Sequence, residues 1–385
     1  MIVNFSRTVP VLFGTGASMR TGLKAKELGV NKVMCVYDSG IKKAGIADKI
    51  INNLQSAGLN VVTYEGVKED TPDTIVNEAA ELGNAEQVEG IVCVGGGSSM
   101  DTAKAVNVLL NNPPPINKYY AGDGGKHDPG KVLILLPSTA GTGSEVTSVS
   151  VVSDTATGSK KGVMGPAATA TQAIVDPELL LGLPANTTAI TGMDALSHAV
   201  EALTSKGMNP MSDVLAEKAI TLIVENISNS VKNGQDLEAR NNMAFASLIA
   251  GIAFNDALPH WGHAIAHAVG GQFHVPHGVG CAAALPAAVE YVADAVPAKI
   301  RKIAAAMRIS SVEELPPPEL GAKVGEAIRE LSREIGVPRL QEFGIEESAL
   351  GKVVPVVLED DCAMFGPKLA SSTQVLWMLK KAYEY

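Results

Sequence analysis

The spacing of apolar residues changes once along this 385-residue chain, near Pro184. Before it, short β-rich runs alternate with segments of helical period. Residues 32–37, 60–64, 90–94 and 132–136 read as strands, and 47–57, 72–82 and 99–110 as helices. That alternation predicts a mostly parallel sheet wrapped by helices. Thr71 and Pro72 read as the N-cap and first residue of one helix, and Gly58 as the stop of another. Beyond Pro184 the β-rich runs cease. Segments of period 3.6 follow at 187–204, 211–231, 236–253, 260–269, 284–307, 319–336 and 346–357. The expected organisation is therefore α/β over residues 1–182 and all-helical over 183–385.

Charge and composition narrow the function. Lys and Arg number 31 against 41 Asp and Glu, a net charge of −10. No basic field is available for nucleic acid or anionic lipid. The longest clean apolar runs hold about five residues, where a membrane span needs about 20. The first ten residues include Asn4, Ser6 and Arg7 instead of an apolar stretch, so no signal peptide is expected. Cys35, Cys93, Cys281 and Cys362 are far apart and form no CxxC pair. They read as buried thiols in a reducing compartment, which points to the cytoplasm.

Two loops in the first half suit a nucleotide. Gly95, Gly96, Gly97 and Ser98 follow a predicted strand and precede a predicted helix, where backbone N–H groups can meet a pyrophosphate. The spacing is not GxGxxG, and a tight turn without a ligand has the same context. A second cluster, 137–145, contains Ser138, Thr139 and Thr142 and also follows a strand; it reads as a phosphate or ribose contact, or as a flexible loop. Asp38 lies just after the predicted strand 32–37. An acid there either binds ribose hydroxyls or closes an Asx turn with Ser39 and Gly40.

In the second half, five of the seven histidines fall within eighteen residues: His260, His263, His267, His274 and His277. His263 and His267 are spaced i, i+4, with Gly270 and Gly271 expected to end their helix. Asp194 and His198 form a second i, i+4 pair upstream. One carboxylate and several imidazoles suit a divalent metal with an open position. A polar helix face or a pH-sensitive patch would show the same spacing. With no thiolate nearby in sequence, nothing favours zinc in particular.

Four motifs then carry a resemblance over most of the chain: GGGSSMDTAK at 95–104, PSTAGTGSEVT at 137–147, GMDALSHAVEA at 192–202 and HAIAHAVGGQFHVPHG at 263–278. Together they resemble the iron-dependent (group III) alcohol dehydrogenases. The resemblance implies an N-terminal Rossmann-like dinucleotide-binding domain and a C-terminal helical domain, the architecture of dehydroquinate synthase. It implies NAD and Fe(II), with Zn(II) as the alternative ion. It assigns the metal to Asp194, His198, His263 and His277, and places His267 near substrate and nicotinamide as a proton relay or a positioning group. It assigns the nucleotide to Asp38, Gly95, Gly96, Gly97, Ser98, Ser138, Thr139, Thr142 and Lys160.

The implied reaction is reversible hydride transfer between a small primary alcohol or diol and NAD, with the substrate oxygen on the metal, in a homodimer or larger homo-oligomer. A zinc-dependent polyol dehydrogenase and a lyase on the same scaffold are the alternatives. The lyase needs a basic cluster for a phosphorylated substrate. Between 187 and 278 the basic residues are Lys206, Lys218, Lys232 and Arg240, none adjoining the ligand motifs. Two stretches depart from the family's pattern. Pro259 and Trp261 stand just before His263 and are expected to reshape the pocket wall. Phe365, Gly366, Pro367 and Lys368 replace an Asn-Pro-Arg element.

Overall fold

The computed structural model describes residues 9–121 and 125–384. The first eight residues and 122–124 thus lie outside the described residues. The chain forms two compact units. One holds 9–139 and Gly143–Gly182; the other holds Ala140–Thr142 and 183–384.

The first unit is an α/β layer structure. In chain order it contains β1 (Val11–Phe13), α1 (Thr21–Glu27), β2 (Lys32–Val36), α2 (Ser39–Lys43), α3 (Ile46–Ser56), β3 (Asn60–Tyr64), α4 (Asp73–Ala85), β4 (Gly90–Gly95), α5 (Gly97–Leu109) and β5 (Val132–Pro137). It continues with β6 (Val149–Asp154), β7 (Ser159–Met164) and β8 (Gln172–Val175). Six strands form one parallel sheet in the order β1-β8-β5-β4-β2-β3. β4 and β5 are wholly or almost wholly buried, as central parallel strands covered on both faces must be. The chain runs outward from β2 to β3, then resumes on the other side of β2 with β4. That reversal opens a crevice at the carboxyl ends of β2 and β4, the place where such sheets bind ligands.

β6 and β7 form a separate antiparallel hairpin that the sequence pattern did not predict. β7, SKKGVM, is largely polar and only Val163 is buried, so no apolar run marks it. β1 and β8 are too short to show a period and are defined by pairing with each other and with β5. At α4 the expected cap shifts by one residue. Pro72 occupies the N-cap, while Thr71 adopts φ 48° and its hydroxyl donates to the Ser98 carbonyl at 3.1 Å.

The second unit is helical throughout among its described residues. It comprises α6 (Ala185–Thr204), α7 (Pro210–Lys232), α8 (Leu237–Ala257), α9 (Trp261–Phe273), α10 (His277–Val292), α11 (Pro297–Ala306), α12 (Pro317–Glu334), α13 (Leu350–Glu359) and α14 (Ser372–Glu384). The apolar period from 284 to 307 belongs to two helices, because Pro297 starts a new one. α9 runs through Gly270 and Gly271 instead of stopping there, and closes at His274 with φ 56°. α14 was not predicted. No described helix is long and apolar enough to cross a membrane.

α10 is the central element. Almost every side chain from Val279 to Val292 is buried, and it packs on α6, α9, α12 and α14. Its first turn lies against α6: a Cβ on Gly278 would stand 2.2 Å from the Ile190 carbonyl oxygen. Glycine at that position is what brings His277 to the α6 residues.

Candidate functional site

Asp194 and His198 share one buried face of α6, His263 comes from the first turn of α9, and His277 opens α10. Asp194 Oδ1 is their common point. It lies 3.6 Å from His198 Nδ1, 3.7 Å from His263 Nε2 and 3.5 Å from His277 Nε2. Donors bound at about 2.1 Å around a tetrahedral ion stand about 3.4 Å apart, and these three separations from Asp194 lie near that edge. Two imidazole nitrogens, His198 Nδ1 and His263 Nε2, are buried without a hydrogen-bond partner. Leaving such atoms unsatisfied costs about 1–3 kcal/mol each, so their convergence fits a cation. Burial pushes the His198 imidazole down to about 3, against the pull of Asp194, which leaves it neutral with a lone pair to donate. Burial opposes charge on Asp194 too, but His198, His263 and His277 outweigh it and hold the carboxyl well below its ordinary range.

His267 sits one turn beyond His263. Its Nδ1 lies 2.9 Å from Asp360 Oδ2, and its ring stacks on His277 at 5.4 Å between centroids. Burial lowers its pKa despite Asp360. With Nδ1 turned to the carboxylate, Nε2 is the nitrogen left for proton transfer. His260 and His274 do not join the cluster around Asp194. His260 is buried with Nε2 2.9 Å from Thr204 Oγ1, and His274 is the exposed C-cap of α9.

In the α/β unit, Asp38 and the glycine loop meet at the crevice. Asp38 caps α2: Oδ1 accepts from the N–H groups of Gly40 at 2.8 Å and Ile41 at 3.0 Å. Its Oδ2 accepts from Ser99 Oγ at 2.9 Å. The Asx turn and a tether to the glycine loop are thus both present. Gly96 faces Thr139, whose hydroxyl is buried without a partner, and the Ser138 N–H donates to the Gly95 carbonyl at 2.9 Å. Lys160 is on β7 and pairs with Asp70 at 2.7 Å; the Asp70 N–H donates in turn to Ser98 Oγ at 3.3 Å. Thr142 clusters with the helical unit, apart from Ser138 and Thr139.

Beneath these loops, Asp101 accepts from Ser144 Oγ at 2.9 Å and from the Val151 N–H at 3.2 Å. The fully buried Lys104 donates to Thr147 Oγ1 at 3.0 Å and the Val149 carbonyl at 2.8 Å, and burial lowers its pKa to about 8. The charged side chains here hold loops, leaving backbone amides to face a ligand.

Comparison with known proteins decides the family. Residues 9–177 match the model of the iron-containing alcohol dehydrogenases, and 188–383 match that of the C-terminal part of the Fe-containing alcohol dehydrogenase family. The chain belongs to the iron-containing alcohol dehydrogenase family. It is 36% identical to a choline dehydrogenase of Bacillus subtilis (strain 168), over 96% of this chain and 92% of that one. It is 34% identical to an NAD-dependent methanol dehydrogenase of Bacillus methanolicus, over 99% and 100%. A solved 1,3-propanediol oxidoreductase superposes with a TM-score of 0.95 at 34% identity, covering both chains completely.

Within this family frame, the two departures from the expected pattern turn out to be one packing unit. Trp261 is buried; its indole N–H donates to the Lys368 carbonyl at 3.0 Å, and its ring meets Tyr291 edge-on. A Cβ on Gly366 would fall 2.3 Å from Trp261 Nε1, so the ring requires glycine there. The expectation that Trp261 walls the alcohol pocket is therefore corrected: the ring is core packing.

Sequence reasoning missed three groups. Glu201 Oε2 pairs with His263 Nδ1 at short range, and its Oε1 accepts from the N–H groups of His260 at 3.0 Å and Gly262 at 2.8 Å. A carboxylate behind a ligand histidine fixes its tautomer and its aim. Against burial, His263 and His260 hold Glu201 down to about 2. The signal was present, because Asp194, His198 and Glu201 are i, i+4 and i+7 on one helix face. Asp360 had none, being 93 residues from His267. Cys281 corrects the statement that no thiolate is near: it stands one turn after His277 and reaches Asp194.

Proposed function

We propose that this chain interconverts a small primary alcohol or diol with its aldehyde, using NAD and one Fe(II). The convergence of His198, His263 and His277 on Asp194 Oδ1, with two imidazole nitrogens buried and unpartnered, carries this reading. Asp194, His198, His263 and His277 would hold the ion, and Glu201 keeps His263 Nε2 turned toward Asp194. A divalent cation supplies charge stabilisation to a developing alkoxide oxygen, and NAD supplies the hydride acceptor. Asp360 holds His267 through Nδ1, so that Nε2 is available to accept and pass on the hydroxyl proton.

For NAD, Gly95, Gly96, Gly97 and Ser98 present backbone N–H groups at the sheet's reversal, where β4 runs into α5. Thr139 adds a hydroxyl with no internal partner. Ser138, Thr142 and Lys160 complete the proposed nucleotide set, and Asp38 stands at the ribose end. The NAD-dependent methanol dehydrogenase among the relatives supports this cofactor. The boundary between the nucleotide and metal domains is proposed at 182/183.

A neutral substrate agrees with the basic residues of the helical unit. The buried Arg240 guanidinium donates to Thr188 Oγ1 at 2.8 Å and to the Leu183 and Gly234 carbonyls at 3.0 Å. All four cysteines are free, which supports a reducing, cytoplasmic setting. The test is turnover by anaerobically purified, iron-loaded protein with NAD and a panel of alcohols, diols and sugar phosphates. NADH formation with primary alcohols or diols is expected. Turnover of sugar phosphates alone, without NADH, would overturn the proposal.

A further inference from the structure

Counting Asp194 itself, five side chains bring a donor atom to this point. Cys281 follows His277 by four residues on α10, so both side chains leave the same helix face. Cys281 is fully buried, and its Sγ lies 3.5 Å from His277 Nε2 and 3.6 Å from Asp194 Oδ1. One donor atom from each of Asp194, His263, His277 and Cys281 falls within 4.8 Å of all the others. With bonds of about 2.3 Å from sulfur and about 2.1 Å from nitrogen or oxygen, the tetrahedral angle separates sulfur from its neighbours by about 3.6 Å. Both sulfur separations match that edge.

The thiol donates to Asp194 Oδ1 and contacts His277 Nε2, so the sulfur faces the donor cluster and is not filler in an apolar core. Beside it, His263 Nε2 is buried without a hydrogen-bond partner. We propose that Cys281 Sγ binds the same ion as Asp194, His263 and His277, giving a mixed oxygen, nitrogen and sulfur site that takes up zinc or cobalt more readily than oxygen and nitrogen donors alone would. A thiolate is the softest donor among these side chains, and softness is what such a ligand selects for. The inference rests on reading Asp194 and the histidines as a metal centre, and it deepens that reading by adding a ligand.

Cobalt separates the two levels. The full chain, stripped with a chelator and reloaded anaerobically with Co(II), should show visible d–d bands from bound cobalt and a near-ultraviolet thiolate-to-cobalt charge-transfer band. Cys281→Ser and Cys281→Ala should keep the d–d bands and lose the charge-transfer band, while Cys362→Ser should retain both. In anaerobic competition, the ratio of bound zinc to bound iron should fall by at least about tenfold in Cys281→Ala, a lower bound taken from the loss of an outer-sphere partner. Bound cobalt with d–d bands but no charge-transfer band in the unmodified protein would overturn the role of Cys281 and leave the metal centre standing. No bound cobalt, with Asp194→Ala indistinguishable from the parent, would overturn both. Because the parent spectrum alone decides the sulfur question, a Cys281 variant that failed to fold would not rescue the proposal.

Discussion

The two units use their buried polar side chains in opposite ways. In the α/β unit, Asp38, Asp101 and Lys104 are occupied by internal hydrogen bonds that pin the loops at the sheet's edge. The surface left for a ligand is glycine backbone, beside the buried Thr139 hydroxyl, which has no internal hydrogen-bond partner. In the helical unit the ligand-facing groups are the side chains themselves. His198 and His263 each keep a bare nitrogen, and the supporting role passes to Glu201 and Asp360. An anion is met by amides that a fold can supply anywhere a strand runs into a helix, whereas a cation needs lone pairs that only particular side chains carry. The same residue type therefore means different things in the two halves: an aspartate is scaffold at 38 and hub at 194.

Removing the hub tests the contrast most severely. Asp194→Ala should abolish stoichiometric metal binding and cost at least about a thousandfold in kcat/KM, since metal polarisation contributes several kcal/mol. Elemental analysis with steady-state assays checks it; a variant with full metal and normal turnover would place the centre elsewhere.

The next largest effect belongs to the α/β unit and involves no metal. Burial raises the Glu145 carboxyl from 4.5 to about 7, and its Oε2 has no partner. A group whose pKa is raised on folding contributes stability that is complete below its unfolded value and disappears as pH rises through its folded value. Glu145 should thus cost about 3 kcal/mol of stability between pH 4.5 and 7, at 1.36 kcal/mol per unit. Denaturant melts of the parent and Glu145→Gln over that range should converge at low pH and separate as pH rises. Parallel curves would mean that the carboxyl is solvated.

A smaller change addresses the scaffold of the helical site. Glu201→Gln should weaken metal binding about 10- to 100-fold while leaving every proposed ligand in place. Unchanged affinity in a metal titration would show that α9 packing alone aims His263. The smallest effect concerns Asp38. Asp38→Asn keeps an oxygen for the α2 cap and removes the charge, whereas Asp38→Ala should lose about 1 kcal/mol of capping. If the carboxylate also faces the ribose, the asparagine variant should raise NADP use relative to NAD several-fold. An unchanged ratio would make Asp38 a turn residue only, like the other anchored acids of its unit.

What could be read from the chain follows the range of the interactions. β2, β4 and β5 were legible because central parallel strands are apolar throughout, the edge strand β3 by its short β-rich run, and α3, α4 and α5 by their helical period. Asp194 with His198, and His263 with His277, were legible because helical spacing and one short loop keep each pair close. Glu201 was equally accessible, at i+7 from Asp194 and inside the 192–202 motif, and Cys281 stands at i+4 from His277, three residues past the 263–278 motif. The polar strand β7 and the strands β1 and β8 left no periodic trace, since their pairing partners define them.

By itself, then, the sequence determined the α/β-then-helical order and the shared helix face of Asp194 and His198, because each depends on local period, while its four long motifs carried the resemblance to the family. Tertiary structure alone decided that Asp360 holds His267 across 93 residues and that Trp261 lies in the core over Gly366, not in a pocket wall. It also decided that Asp194 Oδ1 is the point on which His198, His263, His277 and Cys281 converge. The reason is geometric. Helical period fixes which side chains share a face, but where two faces meet depends on how closely their backbones approach, and at Gly278 that distance is set by the packing of α10 on α6.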